Sequence, residues 1–253
     1  MSRVIESDEQ LAQKALGLLE LTSLNADDTS ERIIALCERA LTPVGNVAAV
    51  CVLPRFAGLA RRTLDSLHAR EVRVVAAVNF PNGGASIAMV ESETHAAMLT
   101  GADEIDLVYP FHAHLAGDKR IGGEMIAACK AKCARRGLLT VTLETGVLRD
   151  SQIIHDACRT AIREGAAFVK TSTGKQIVSA TPQAARILIE AIAELGSQVG
   201  LKASGNVRTL SEARIYLDMA QARFGSFWLE PGRLRLGASS LLDDLLVELG
   251  VGP

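Results

Sequence analysis

The chain has 253 residues, with 27 Lys and Arg against 29 Asp and Glu for a formal charge of −2. The two signs are interspersed, so no polybasic stretch exists to hold nucleic acid or an anionic membrane. Although 48% of the residues are apolar, only 4% are aromatic, so the interior must be built mostly from Ala, Val, Leu and Ile, as in parallel α/β folds.

Residues 1–17 read as an N-terminal helical extension. Short Val/Ala/Leu-rich runs at 18–24, 47–53, 72–80, 104–109, 138–144, 166–171, 199–204 and 233–237 then read as strands, with longer amphipathic stretches between and after them. Helix starts are well marked. Asp28-Thr29-Ser30-Glu31-Arg32 precedes an Ile/Leu face, Thr181-Pro182 pairs an N-cap with a proline at the first helical position, and Thr209-Leu210-Ser211-Glu212 resembles a capping box. No Ser/Pro-rich hinge or low-complexity stretch interrupts the alternation. Eight strand–helix units predict a (β/α)₈ TIM barrel forming a single domain over 1–253; an open doubly wound sheet would alternate similarly, and the count of eight and the inward-pointing residues favour the barrel.

Side chains alternate along a strand, so they can be sorted by face. Ala167, Val169 and Thr171 point toward covering helices, whereas Phe168, Lys170 and Ser172 point into the barrel. Ile105, Leu107 and Tyr109 lie outward and Glu104 and Asp106 inward; Leu201 and Ala203 lie outward and Gly200, Lys202 and Ser204 inward. Thr22, Cys51, Asn79 and Glu144 fall on the same inner face near carboxyl ends of strands, where barrel enzymes build their sites. Asn79 and Glu144 are expected to anchor loops or lysines by hydrogen bonds rather than to do chemistry. A single lysine at a strand end ordinarily snorkels into water. A pair, Lys170 and Lys202, each beside glycines, suggests Schiff-base chemistry, because an amine beside a second cation in a poorly hydrated pocket loses its proton more readily.

Glycines and cations recur at the loop entrances after the last three strands, in Thr173-Gly174-Lys175, Gly205-Asn206-Val207-Arg208 and Gly237-Ala238-Ser239-Ser240. Backbone N–H groups at glycine turns and helix N-termini bind anions, and barrels often hold phosphate after strands seven and eight. A P-loop is excluded at Gly174-Lys175, since Gln176 follows and no glycine stands at 169.

No metal site is predicted. His112-x-His114 and the Asp103/Glu104/Asp106 group lack further ligands, and His68, His95 and His155 lie in helical patterns. The five cysteines, Cys37, Cys51, Cys129, Cys133 and Cys158, show no C-x-x-C spacing, so neither a disulfide framework nor a zinc knuckle is expected, and Cys129 and Cys133 should pack against the sheet. The acidic segment 1–9 does not read as an export signal and no apolar run approaches the ~20 residues of a membrane span, so a cytoplasmic protein is expected.

At Leu21-Thr22-Ser23-Leu24-Asn25, Thr42-Pro43-Val44-Gly45-Asn46, Cys51-Val52-Leu53-Pro54-Arg55-Phe56, Asn79-Phe80-Pro81, 101–106, Glu144-Thr145-Gly146, 170–175 and Arg235-Leu236-Gly237-Ala238-Ser239-Ser240 the chain resembles the deoxyribose-phosphate aldolases, class I enzymes of deoxyribonucleoside breakdown. The resemblance runs from about Leu19 to Leu245. It implies a (β/α)₈ barrel that reversibly cleaves 2-deoxy-D-ribose 5-phosphate to D-glyceraldehyde 3-phosphate and acetaldehyde, with no metal or organic cofactor and no macromolecular partner beyond a possible homodimer. It assigns the Schiff base to Lys170, depression of its pKa to Lys202, and proton transfer with a bound water to Asp106. Thr22, Asn25, Cys51 and Thr173 would line the sugar channel. Gly174, Lys175, Gly205, Asn206, Arg208, Gly237, Ser239 and Ser240 would hold the phosphate.

The chain departs from the family pattern at four places. Asn206 replaces a second glycine after Lys202, Glu20 stands where Asp is common, Thr140 where Lys often begins the fifth strand, and Pro253 ends a chain without the terminal Tyr of some members. Two other readings are a non-catalytic sugar-phosphate-binding barrel and a class I aldolase of shifted substrate range.

Overall fold

The computed structural model describes residues 7–133, 137–195 and 198–252. Eight parallel strands close into a barrel in sequence order: β1 (Leu19–Ser23), β2 (Ala49–Val52), β3 (Arg73–Val78), β4 (Glu104–Val108), β5 (Leu138–Thr142), β6 (Phe168–Lys170), β7 (Gly200–Ser204) and β8 (Leu234–Gly237). Each lies within one of the predicted runs. The ladders stop earlier than the apolar runs because the backbone turns away. Asn79 (φ 57) and Glu144 (φ 56) are left-handed just past the ends of β3 and β5, a conformation that cannot continue a strand. An antiparallel two-residue ladder joins Leu41–Thr42 to Gly45–Asn46 outside the barrel.

The helices begin where the caps predict. Thr29 accepts from the Arg32 N–H at the start of Ser30–Arg39, Thr181 accepts from Ala184 N–H before Pro182–Glu194, and Thr209 with Glu212 forms a full capping box before Leu210–Phe224. Segment Asp8–Gly17 is also helical, with a capping box between Ser7 and Gln10.

Two apolar regions result from the strand alternation. Outward-facing Leu107, Val141, Val169, Leu201 and Leu236 join the buried faces of the helices in one continuous core. Inside the barrel, Leu24, Ala49, Cys51, Val75 and Ala77 form a small separate cluster, with Leu53 and Phe80 packed on it. This cluster fills the β1–β3 side. Strands β4 to β8, joined by Glu20 of β1, carry the charges. No helix among the described residues is long and apolar enough to cross a membrane.

Candidate active site

Register brings the inward charges together. Lys170 and Lys202 are direct partners on β6 and β7, Lys202 and Arg235 on β7 and β8, and Gly237 pairs with Glu20 where β8 meets β1. Glu20, Glu104, Asp106, Lys170, Lys202 and Arg235 are all buried. Their formal charges cancel, which allows so many ions to be buried together.

Within this ring each cation has its own anion. Lys170 Nζ donates to Asp106 Oδ2 at 2.6 Å, and Thr142 Oγ1 donates to the other carboxylate oxygen at 2.5 Å. Lys202 Nζ donates to Glu20 Oε2 at 2.7 Å and lies 3.4 Å from Glu104 Oε2. Arg235 grips Glu104 with both terminal nitrogens, at 2.8 and 2.6 Å, and reaches Glu20 at 3.3 Å. Lys202 and Arg235 also lie over the Phe168 ring, 5.0 and 5.1 Å from its centroid, a favourable cation–π arrangement in a dry interior.

These pairings set the charge balance at Lys170. Burial pulls the pKa of Lys170 down, but the Asp106 carboxylate, with smaller contributions from Cys51 and Glu20, outweighs it and holds Lys170 above its ordinary value. Lys202 directs its own ammonium at Glu20 and Glu104. Glu20 shows the converse. Burial raises its pKa, and Lys202, Lys170 and Arg235 together bring it down to about 2. The buried Cys51 thiol is pushed well up by burial and by Glu20, so it acts as wall rather than nucleophile.

The glycine loops converge at the mouth. Gly174 (φ +76), Gly205 (φ +86) and Asn206 (φ 60) are left-handed, and Gly205 N–H donates to Gly237 O at 3.4 Å. A methyl group at Gly205 would sit 2.5 Å from Ser179 Cβ, and one at Gly237 2.6 Å from Ser204 Oγ. These positions need glycine because the Ser179 and Ser204 side chains occupy the space a Cβ would take. Asn206 adopts the conformation that Asn tolerates best among non-glycine residues.

The other predicted residues fall into two groups. Thr22, Cys51, Thr173 and Gly237 lie in or at the rim of the barrel. The Ser239 hydroxyl accepts from Thr22 N–H at 2.9 Å and donates to Thr22 O at 2.7 Å. Arg208 and Ser240 are exposed on the rim. Lys175 Nζ donates to Asn25 Oδ1 at 2.9 Å, bridging the loops after β6 and β1. Beside that bridge a cavity of about 610 Å³, lined by Leu24, Leu53, Arg55, Phe80 and Lys175 among others, opens over the apolar side of the barrel.

A family model for the DeoC/LacD aldolases matches residues 15–246. The chain belongs to the DeoC/LacD aldolase family. A putative deoxyribose-phosphate aldolase from Toxoplasma gondii ME49 superposes with a TM-score of 0.88 at 24% identity, covering 96% of this chain and 95% of that one. A putative deoxyribose-phosphate aldolase from Coccidioides immitis gives 0.79 at 27%, covering 91% and 85%. The deoxyribose phosphate aldolase of Aeropyrum pernix, described as a tetramer, gives 0.75 at 23%, covering 94% and 91%.

Family membership makes this barrel an aldolase, and the inner ring contains two residues that sequence reasoning left without a role. Glu20 and Arg235 share the inward parity of Thr22 and Gly237, so the signal was present, but only register shows that they lock Lys202 and Glu104. Three of the histidines have structural partners: His112 packs against the Phe111 ring, Tyr109 Oη lies 2.9 Å from His114 Nδ1, and His155 Nε2 lies 3.0 Å from Glu194 Oε2. All five cysteines are buried and free. Among the described residues one group, Glu20, Cys51 and Asp106, has metal-ligand spacing; the ammonium groups of Lys202 and Lys170 already lie against its two carboxylates, so a cation fits poorly there.

Proposed function

We propose that this aldolase reversibly cleaves 2-deoxy-D-ribose 5-phosphate to D-glyceraldehyde 3-phosphate and acetaldehyde through a Schiff base on Lys170. The observation that carries the reading is the 2.6 Å bond between buried Lys170 and buried Asp106, set below a rim of left-handed glycine turns. The bond gives the ammonium a direct proton acceptor. Once its proton passes to Asp106, the neutral amine attacks the C1 aldehyde of the open-chain sugar, and loss of water leaves an iminium.

The iminium is the electron sink. A base takes the C3 hydroxyl proton, the C2–C3 bond breaks, and its electron pair moves into an enamine while glyceraldehyde 3-phosphate leaves. Protonation at C2 and addition of water then release acetaldehyde and regenerate the amine. Asp106, beside Lys170 and oriented by Thr142, is the acid/base for these transfers. Lys202, paired in register with Lys170, disfavours the ammonium form once Asp106 has been neutralised.

The phosphate would sit on the amides around Gly174, Gly205 and Gly237 with Lys175 swung from Asn25, and this remote binding would fix C1 against Lys170. Thr22, Asn25, Cys51 and Thr173 would wall the sugar channel. The test is borohydride reduction in the presence of 2-deoxyribose 5-phosphate followed by peptide mass mapping. A reduced adduct on Lys170 is expected. Phosphate binding without any adduct would instead make the protein a non-catalytic sugar-phosphate barrel.

A further inference from the structure

Glu144 is a buried acid that the cleavage steps above do not use. Its side chain has no solvent exposure, and it occupies left-handed backbone (φ 56, ψ 58) at the start of the short helical turn Thr145–Leu148, a conformation that strains a non-glycine residue. Its Oε1 has no hydrogen-bond partner, a further cost for a buried polar atom. Two unfavourable features at one residue call for a compensating role.

Its Oε2 supplies one. It accepts from both Thr173 N–H at 3.1 Å and Thr173 Oγ1 at 2.5 Å. The Thr173 hydroxyl oxygen in turn accepts from Lys175 N–H at 3.1 Å. The carboxyl therefore holds the residues flanking Gly174, a left-handed turn of the anion rim. On the barrel side, Leu143 N–H donates to Lys170 O and Thr145 N–H to Thr171 O, so the segment that carries Glu144 is bonded on either side to the strand end that carries Lys170. Beyond the rim the chain runs into solvent, with Ile177 99% exposed.

We infer that Glu144 is a positioning residue for the sugar phosphate, setting the distance between the anion-binding turn at 173–175 and the amine of Lys170 by fixing Thr173 from the end of β5. This rests on the sugar-phosphate reading. It departs from a merely structural anchor in what it controls. A loop fixed only for stability would unfold more easily when Glu144 is lost, whereas a loop fixed for register would lose affinity specifically for a phosphorylated ligand.

The test uses the full chain with Glu144→Ala and Glu144→Gln. Glu144→Ala should raise KM for 2-deoxyribose 5-phosphate by about tenfold or more with kcat within about threefold, the rise being confined to the phosphorylated sugar, and should weaken calorimetric binding of inorganic phosphate by a similar factor. Glu144→Gln keeps an oxygen that can accept both Thr173 bonds and should recover most of that affinity. A folded Glu144→Ala enzyme with wild-type KM and phosphate affinity overturns the inference, as does a fall confined to kcat. Phosphate binding is read without turnover. If the wild-type protein binds phosphate but does not cleave the sugar, the aldolase reading of the substrate fails while the phosphate comparison still decides the role of Glu144. Should Glu144→Ala not fold, Thr173→Val removes the shorter of the two bonds from its other end, and wild-type phosphate affinity in that variant counts against the inference.

Discussion

The ionic ring inside the barrel and the glycine rim at its mouth lie only a few residues apart in sequence, yet they are held by different physics. In the ring, Glu20, Glu104, Asp106, Lys170, Lys202 and Arg235 are buried and each position is defined by its counter-ion. At the rim, Gly174, Lys175, Asn206, Arg208 and Ser240 are exposed, and backbone conformation rather than ion pairing sets the geometry. A buried network can present a reactive amine in one orientation, but it tolerates no missing partner. The rim can tolerate a changed side chain, provided that the backbone keeps its turn.

The largest effect should come from breaking the ring at its reactive member. Lys170→Leu is expected to reduce cleavage of 2-deoxyribose 5-phosphate to the uncatalysed background while the far-ultraviolet circular dichroism stays that of a folded barrel; residual turnover above about a hundredth of wild type would refute the assignment.

Glu20→Gln should act on stability. Removing one partner from a buried ionic network typically costs roughly 3–5 kcal/mol, readable as a shift in the denaturant midpoint. The pH dependence has a definite sign. Folding lowers the Glu20 pKa from 4.5 to about 2, because Lys202, Lys170 and Arg235 outweigh the effect of burial. As pH falls, the unfolded chain therefore takes up this proton first. The contribution is fully present above the unfolded value and is lost from about pH 4.5 toward 2. The Glu20→Gln protein should lose stability less steeply than wild type across that window, and parallel acid-unfolding curves would contradict the pairing.

At the rim, Gly205→Ala places a methyl 2.5 Å from Ser179 Cβ at a φ of +86 and should raise KM for the phosphorylated sugar by about tenfold or more with a smaller change in kcat. The gentlest test is Asn206→Gly. The residue is exposed and left-handed at φ 60, so glycine relieves strain without moving the turn, and KM should stay within about threefold of wild type or fall. A large rise would mean that the Asn206 amide is itself a ligand, and that side chains as well as backbone set the rim.

The barrel was readable at the level of its eight strands because each is an apolar run bounded by polar caps, and parity along those runs sorted Lys170, Lys202, Asp106 and Glu104 inward. Helix starts at Thr29, Thr181 and Thr209 were readable because capping is local chemistry. The pairing of Lys202 was not. Parity places it near Lys170, but the group that holds Lys170 above its ordinary value is Asp106, close in space although far away in the chain. Ser239 was assigned to the phosphate by resemblance, yet its hydroxyl bonds the backbone of Thr22, a contact across 217 residues that no local pattern encodes.

The sequence by itself therefore determined the element order, the inward set of charges and the glycine turns, since these depend on periodicity, capping and backbone freedom within a few residues. Only the tertiary structure decided which acid neutralises which base. That choice follows from register around a closed barrel, where β8 returns to β1 and brings Arg235 and Lys202 against Glu20, and at short range in a dry interior it is the nearest opposite charge that governs each amine.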